Sequence, residues 1–299
     1  MRETNTEMDL GAVVSPYGPD DVIGAANQIT EGTVLRAAGL VQSGRRFHLG
    51  QLVTDQAPHQ MWRFWRQMLL TEHSAPGSGN GRNRMTFVEE AVSGAVHTGT
   101  HLDGLVHAGV DGVAYGGRLY SDIITASGVT ELGIENMPPL VTRGVCLDVS
   151  HDVDSASDGA NTAVTAQVLE AAEHRQGVTV GAGDILLLHT GWGRWWHENP
   201  DRYAGSEPGL DLGGAQWCVD RKVSVIGADT WAVEQVPSAD PEDAFAVHQL
   251  TITRNGIYLL ENARTSELAD SGVSEFLCVI APILLQGASA SMVAPVAVI

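Results

Sequence analysis

Apolar and polar positions alternate through RMTFVEEAVSGAVHTGTHLD, residues 84–103, and the β-branched residues among them favour extended chain. Short apolar runs bounded by turn residues predict further strands at GVCLDVS (144–150), DILLLHTGW (184–192), VSVIGADT (223–230) and GIYLLE (256–261). Helical patterning takes over in TAVTAQVLEAAEHRQG (162–177) and in PEDAFAVHQLTITRNG (241–256), the latter with Pro241 near its start and Gly256 closing it. Thr30 reads as the N-cap of a surface helix through EGTVLRAAGLVQSG (31–44), which ends at glycine and leads to a strand. Strands and helices alternate only in the second half. The expectation is an α/β protein with a mixed β-sheet or distorted β-barrel core and flanking helices, rather than a doubly wound sheet.

No fixed-period repeat and no long Pro/Ser linker divides the chain, so residues 1–299 read as one domain with 1–50 as an N-terminal extension. A hydrophobic content of 43% over 299 residues is enough for a substantial core. The formal charge of −19 makes the average surface repel phosphate, so neither nucleic acid nor an anionic membrane is expected as a partner. The run FLCVIAPILL is too short to span a bilayer and contains Pro282, and the N-terminus lacks the basic and apolar regions of a secretory signal. Cys146, Cys218 and Cys278 each sit in apolar surroundings and read as buried thiols rather than a disulfide framework. Together these features predict a cytoplasmic protein. Nucleotide-binding glycine loops are absent, as is a Gly-x-Ser-x-Gly nucleophile turn.

Chemistry concentrates in AVHTGTHLDGLVHAG, residues 95–109. In an extended chain alternate residues share a face, which would align His97, Gly99, His101 and Asp103, with Gly99 leaving room for an ion. A helix would align His97 with His101 and turn Asp103 away. Two imidazoles and a carboxylate on one side suit a borderline or fairly hard divalent ion such as zinc or manganese. Without a cation, burying these groups would demand several other polar partners.

The stretch HTGTHLDGLVH resembles the His-x-Gly-Thr-His-x-Asp-x-x-x-His signature of the cyclase superfamily of metal-dependent hydrolases, which includes bacterial kynurenine formamidase and isatin hydrolase. YGPDDVIGAANQIT, DILLLHTGW, IGADT and APILLQGASASMVAPVAVI are similar to further segments of that family, so the resemblance covers most of the chain. It implies that His97, His101 and Asp103 bind metal and that His107 donates or accepts the proton. Where two ions are bound, it implies that Asp103 bridges them and that His248 and Glu261 complete the second site. It also implies a homodimer or homotetramer whose neighbouring subunits help close the pocket. One departure stands out: many shorter members carry proline where this chain has Leu105, which loosens the expected placement of His107.

A divalent ion so bound lowers the pKa of water to about 7 and polarises a carbonyl oxygen, so hydrolysis at a carbonyl is its natural use. The expected substrate is a cyclic amide or lactam, a lactone, or an N-formyl amide, with His107 shuttling the proton. A metal-dependent cyclase or lyase, or a non-catalytic metal-binding protein, is the alternative. HQMWRFWRQMLL, residues 59–70, concentrates Trp62, Phe64 and Trp65 with Arg63 and Arg66, and would either wall an aromatic substrate pocket or form ordinary amphipathic core. GWGRWWHENPDRY is a second aromatic cluster, and His151 and His189 lie near strand ends from which they could approach the site.

Overall fold

Leu186 and Leu188 point to one face of a central strand and Ile185 and Leu187 to the other, and each set enters a different buried cluster. This double burial is what a near-continuous apolar run encodes. In the computed structural model, which describes residues 13–60, 62–72, 75–153 and 159–299, that strand sits in the middle of a curled nine-stranded mixed sheet.

The sheet strands, with the hairpin described below, are β1 (Arg46–His48), β2 (Trp65–Glu72), β3 (Phe87–Gly94), β4 (His101–Asp103), β5 (Leu140–Asp148), β6 (Ile185–His189), β7 (Val225–Ala228), β8 (Tyr258–Glu261), β9 (Glu275–Ile280), β10 (Ala290–Met292) and β11 (Val296–Val298). The sheet order is β1-β11-β9-β5-β6-β7-β8-β4-β10. β5, β6, β7 and β8 run parallel, and antiparallel strands flank them on both sides. A mixed sheet with flanking helices is the architecture that the uneven alternation of strands and helices predicts.

Helices α1 (Glu31–Ala38), α2 (Ala166–Gln176) and α3 (Leu212–Arg221) have side-chain N-caps at Thr30, Thr165 and Asp211. α1 stops at Gly39 rather than running on to Gly44. α2 ends at Gly177, whose left-handed φ of 64° lets its N–H return to the Glu173 carbonyl. Leu169 and Ala172 of α2 and Ala215 and Cys218 of α3 pack on the sheet face that carries Leu186, Leu188, Ile226 and Leu259. Each fully buried leucine there stabilises the fold by about 1.5–3 kcal/mol. Residues ahead of the sheet are tied to it by backbone and side chain: Ala25 N–H donates to the Gly256 carbonyl, and Tyr258 Oη donates to that of Ile23. The three cysteines are buried and free. Among the described residues no helix is long and apolar enough to cross a membrane.

Two expectations need correction. PEDAFAVHQLTITRNG does not begin its helix near Pro241; a helical turn starts at Ala246–His248 and continues as a π-helical turn over Gln249–Arg254. HQMWRFWRQMLL forms neither a helix nor core: β2 pairs with β3 in a two-stranded hairpin whose side chains lie largely in the open. Its apolar residues, with Met68 and Leu69 each 61% exposed and Val92 58%, alternate on both faces and find no third layer among the described residues.

Candidate metal centre

Strand β4 is only three residues long, so the alternation argument holds for His101 and Asp103 but not for His97. His97 lies in the turns before the strand, and Gly99 there adopts a φ of +70°. A Cβ on Gly99 would lie 2.4 Å from Val53 Cγ2, so this glycine serves backbone shape and close packing as well as room for an ion. The turn nevertheless returns His97 to the same place: its Nδ1 is 3.0 Å from Asp103 Oδ1, and its Nε2 lies 3.2 Å from Ser289 Oγ.

β8 brings the distant partner. Glu261 pairs in register with His101, and Leu259 with Asp103, so both carboxylates and His101 emerge on one face of the sheet. Glu261 Oε2 lies 2.9 Å from His101 Nε2, and His248 Nε2 lies 3.3 Å from Glu261 Oε1 and 3.9 Å from Asp103 Oδ2. His107 follows a turn closed by its own N–H to the Gly104 carbonyl, and its Nε2 is 3.9 Å from Asp103 Oδ2. Its ring packs against those of His97 and His248, with centroids 4.3 and 6.0 Å away. The six residues that the resemblance assigned to metal binding and proton transfer therefore converge, although they come from a turn, two strands, a loop and a helical segment.

Among the described residues, two groups of three present ligand atoms close enough for one ion each: His97, Asp103 and His107, and His101, Asp103 and Glu261. Asp103 is common to both. His97 Nδ1, His101 Nε2 and both oxygens of Asp103 are buried at ion-pair distance from one another and from Glu261, yet none of them makes a well-formed hydrogen bond among the described residues. Four such atoms in one place would cost several kcal/mol as an unfilled polar pocket, and a divalent cation satisfies them together. The donor set of imidazole nitrogen and carboxylate oxygen fits zinc or manganese.

The remaining ring nitrogens are held by the fold. His101 Nδ1 lies 2.8 Å from the Gly99 carbonyl, which keeps hydrogen on Nδ1 and frees Nε2 for the centre. Asn262 reinforces that turn: its Nδ2 donates to the Gly99 carbonyl at 2.9 Å while its Oδ1 accepts from Tyr203 Oη at 2.8 Å. His248 Nδ1 is bonded by Glu234 Oε1, and the same carboxylate accepts the backbone N–H groups of Val247 and His248. Glu234, Asn262 and Ser289 carry no period or motif that would single them out in the sequence. They become visible only once the fold places them behind the imidazoles.

Electrostatics follow from this crowding. Burial alone would push both carboxylates up, but the surrounding imidazoles hold Asp103 and Glu261 well below their usual range. Conversely, burial works against a charged His248, and hydrogen bonds to Glu234 and Glu261 outweigh it, raising its pKa to about 10. His101 is raised by Glu261 and Asp103 against the same burial penalty. His107 moves the other way: burial, helped by the neighbouring His97 and His248, lowers it despite the pull of Asp103. It is also the outermost of the group, with a 24% exposed side chain, and so remains a neutral imidazole near pH 7 within reach of solvent.

His107, His248 and Glu261 open into a cavity of about 350 Å³ lined by Trp231, Phe245, Gln60 and Arg63. Trp231 and Phe245 pack edge to face with centroids 6.2 Å apart and form its aromatic wall. Trp62, Phe64 and Trp65 do not line it. Trp62 is 77% exposed, and Phe64 and Trp65 belong to the hairpin and its approach. Arg63, from the same aromatic segment, does line the cavity, and it donates to the His97 carbonyl at 3.3 Å. His151 is on the surface, and His189 joins Asp229 at another cavity rather than this centre.

A curled mixed sheet with histidines and carboxylates gathered at one end of its strands defines a class of candidate metalloprotein. The Cyclase family model matches residues 30–235, and the chain belongs to that family. A crystal structure described as a novel cyclase superposes with a TM-score of 0.86 at 27% identity, covering 95% of this chain and 96% of its own. Isatin hydrolase A from Ralstonia solanacearum aligns at 21% identity with a TM-score of 0.64, covering 90% of this chain and 97% of its own. An isatin hydrolase bound to the product analogue thioisatinate aligns at 16% identity and a TM-score of 0.65, covering 91% and 99%. These two share the fold. No sequence relative among curated proteins matches.

Proposed function

We propose that this chain is a metal-dependent hydrolase that opens a small cyclic amide, lactam or lactone, or cleaves an N-formyl amide. The observation that carries this reading is the convergence of buried ligand atoms on His97, His101, Asp103 and Glu261 beside a cavity where His107 stays neutral and partly open. A zinc or manganese ion at this centre would take its ligands from His97, His101 and Asp103, the set the family resemblance implies, with Glu261 and His248 beside Asp103 for a second, and would supply a Lewis acid for a carbonyl and acidify water.

The chain's own groups do the rest. His107 Nε2 takes a proton from water and returns it to the leaving nitrogen or oxygen, a task suited to an imidazole that is neutral at working pH. Trp231 and Phe245 offer an apolar wall for a planar or cyclic substrate, and Arg63 with Gln60 and Gln249 offers donors for its polar edge. The family likeness and the isatin hydrolase neighbours agree with this substrate class.

A homodimer or homotetramer is part of the same reading. The β2–β3 hairpin leaves an apolar surface uncovered, and a second copy is the occupant that would bury it and bring Trp62, Phe64 and Trp65 out of solvent. The free, buried cysteines support residence in the reducing cytoplasm.

The deciding experiment is elemental analysis of purified protein followed by assays on cyclic amides, lactones and N-formyl anilines in water labelled with heavy oxygen. Hydrolysis incorporates solvent oxygen into product. A metal-dependent turnover without that label makes the chain a cyclase or lyase, and absence of bound divalent metal under metal-replete conditions overturns the reading.

A further inference from the structure

A second cavity, of about 670 Å³, opens where β5, β6 and β7 end. It shares no lining residue with the metal-centre cavity, although Glu261 lines that one and Ala263, Arg264, Thr265 and Ser266 line this one. Two arginines, Arg194 and Arg264, and two histidines, His189 and His197, stand around it with one acid, Asp229. On a chain with only 17 Lys and Arg and a net charge of −19, this is a local reversal of the surface average.

Asp229 is fully engaged. Its Oδ1 accepts from Thr190 N–H and Oγ1 at 2.8 and 2.6 Å, and its Oδ2 accepts from the N–H groups of Gly191 and Gly193 at 3.0 and 3.2 Å. His189 Nδ1 lies 2.8 Å from Thr265 Oγ1 and 3.4 Å from Asp229 Oδ2, while its Nε2 has no partner among the described residues. Burial disfavours the imidazolium, but the hydrogen bond and charge of Asp229 outweigh it and raise the His189 pKa. Arg194 donates one nitrogen to the Gly191 carbonyl at 3.2 Å and lies 4.8 Å from the centroid of the Trp195 ring. Arg264 pairs with the exposed Glu267 and keeps further donors on its fork.

We propose that this cavity binds a small organic anion, a carboxylate or phosphate ester, through Arg194, Arg264 and His189. Guanidinium forks match the paired oxygens of both groups, and His189, held by Thr265 and Asp229, presents its Nε2 to the same space. Ser150 and Ser266 line the same space and offer hydroxyls to the rest of the molecule. The volume is that of a metabolite site rather than of a bare ion. The inference is independent of the reaction at the metal centre.

Calorimetric titration of metal-loaded protein with succinate, glycerol 3-phosphate and inorganic phosphate tests it, with the neutral succinamide as control. Saturable binding of succinate or glycerol 3-phosphate is expected, weakened roughly tenfold or more by Arg264→Gln and by Arg194→Gln. Ser266→Glu, which adds a negative charge to the lining while keeping both arginines, should weaken it likewise, with unchanged melting temperatures showing intact folds. Arg63→Gln, in the other cavity, should leave it unaltered. Saturable binding of phosphate alone, equal binding of succinamide, no saturable binding, or sensitivity to Arg63→Gln in place of the cavity variants would each overturn the proposal.

Discussion

His101 and Glu261 stand opposite each other on adjacent antiparallel strands, and their Nε2 and Oε2 atoms meet at 2.9 Å with both side chains buried. In the absence of a cation a proton holds this pair together, because the carboxylates raise the pKa of His101 and of His248 above the ordinary 6.5. A metal ion must displace those protons.

Metal binding should therefore release protons and tighten as pH rises. Calorimetry with zinc or manganese in buffers of different ionisation enthalpy measures the release directly. Chelation should lower the melting temperature, and resupplying metal at a hundred times its Kd should restore about 2.7 kcal/mol. A melting temperature indifferent to metal would contradict the site.

Glu234→Gln removes the carboxylate that orients His248 while keeping its shape. Metal affinity at the His248 side should fall by about 10–100-fold, with activity recovering at high metal concentration. Unchanged affinity in a metal titration would show that Glu234 only packs.

His107→Ala should retain the metal and lose turnover by about 10²–10⁴-fold. Because burial lowers the His107 pKa, the acid limb of the wild-type rate profile should lie below pH 6.5, where protonation removes the base. Elemental analysis beside the rate measurement separates this outcome from metal loss.

Asp229→Asn should destabilise the fold by about 1–3 kcal/mol, since an amide turns donors toward the part-buried N–H groups of Gly191 and Gly193 or the buried one of Thr190. Asp229 is held below its ordinary 3.8 by His189 and Thr190 despite burial. Its contribution is therefore complete above that value and is lost as pH falls through the lower folded-state pKa. Denaturant melts at pH 7 and below pH 4 should show the penalty shrinking with acid.

Leu69→Lys combined with Val92→Lys places charge on the exposed hairpin without touching the core. Sedimentation velocity should show a shift from oligomer toward monomer, with the circular dichroism spectrum unchanged. A wild-type protein that is already monomeric would remove the hairpin from any interface.

Much of the architecture was legible because periodicity is local. The apolar runs of β6 and β7 announce strands covered on both faces, and Thr30 and Gly177 mark helix ends through their own local chemistry. His101 and Asp103 could be placed on one face from spacing alone, since they do lie on a strand. The reach of that argument ended at His97, where a left-handed Gly99 breaks the extended chain and a turn, rather than alternation, returns the imidazole to Asp103. The aromatic side chains at 62, 64 and 65 do not line this chain's own metal-centre cavity, for a related reason: composition describes what a surface could bind but not which side of the molecule it occupies.

The sequence by itself determined which residues can carry the chemistry and where the central strands and several helices lie, because those depend on neighbours a few positions away. Tertiary structure alone decided that Glu261 pairs in register with His101, that Glu234 stands behind His248, and that Arg63 rather than Trp62 reaches the cavity. Each of those depends on strand order and register, which are set by how two faces of one sheet bury their side chains together, and no local pattern encodes that.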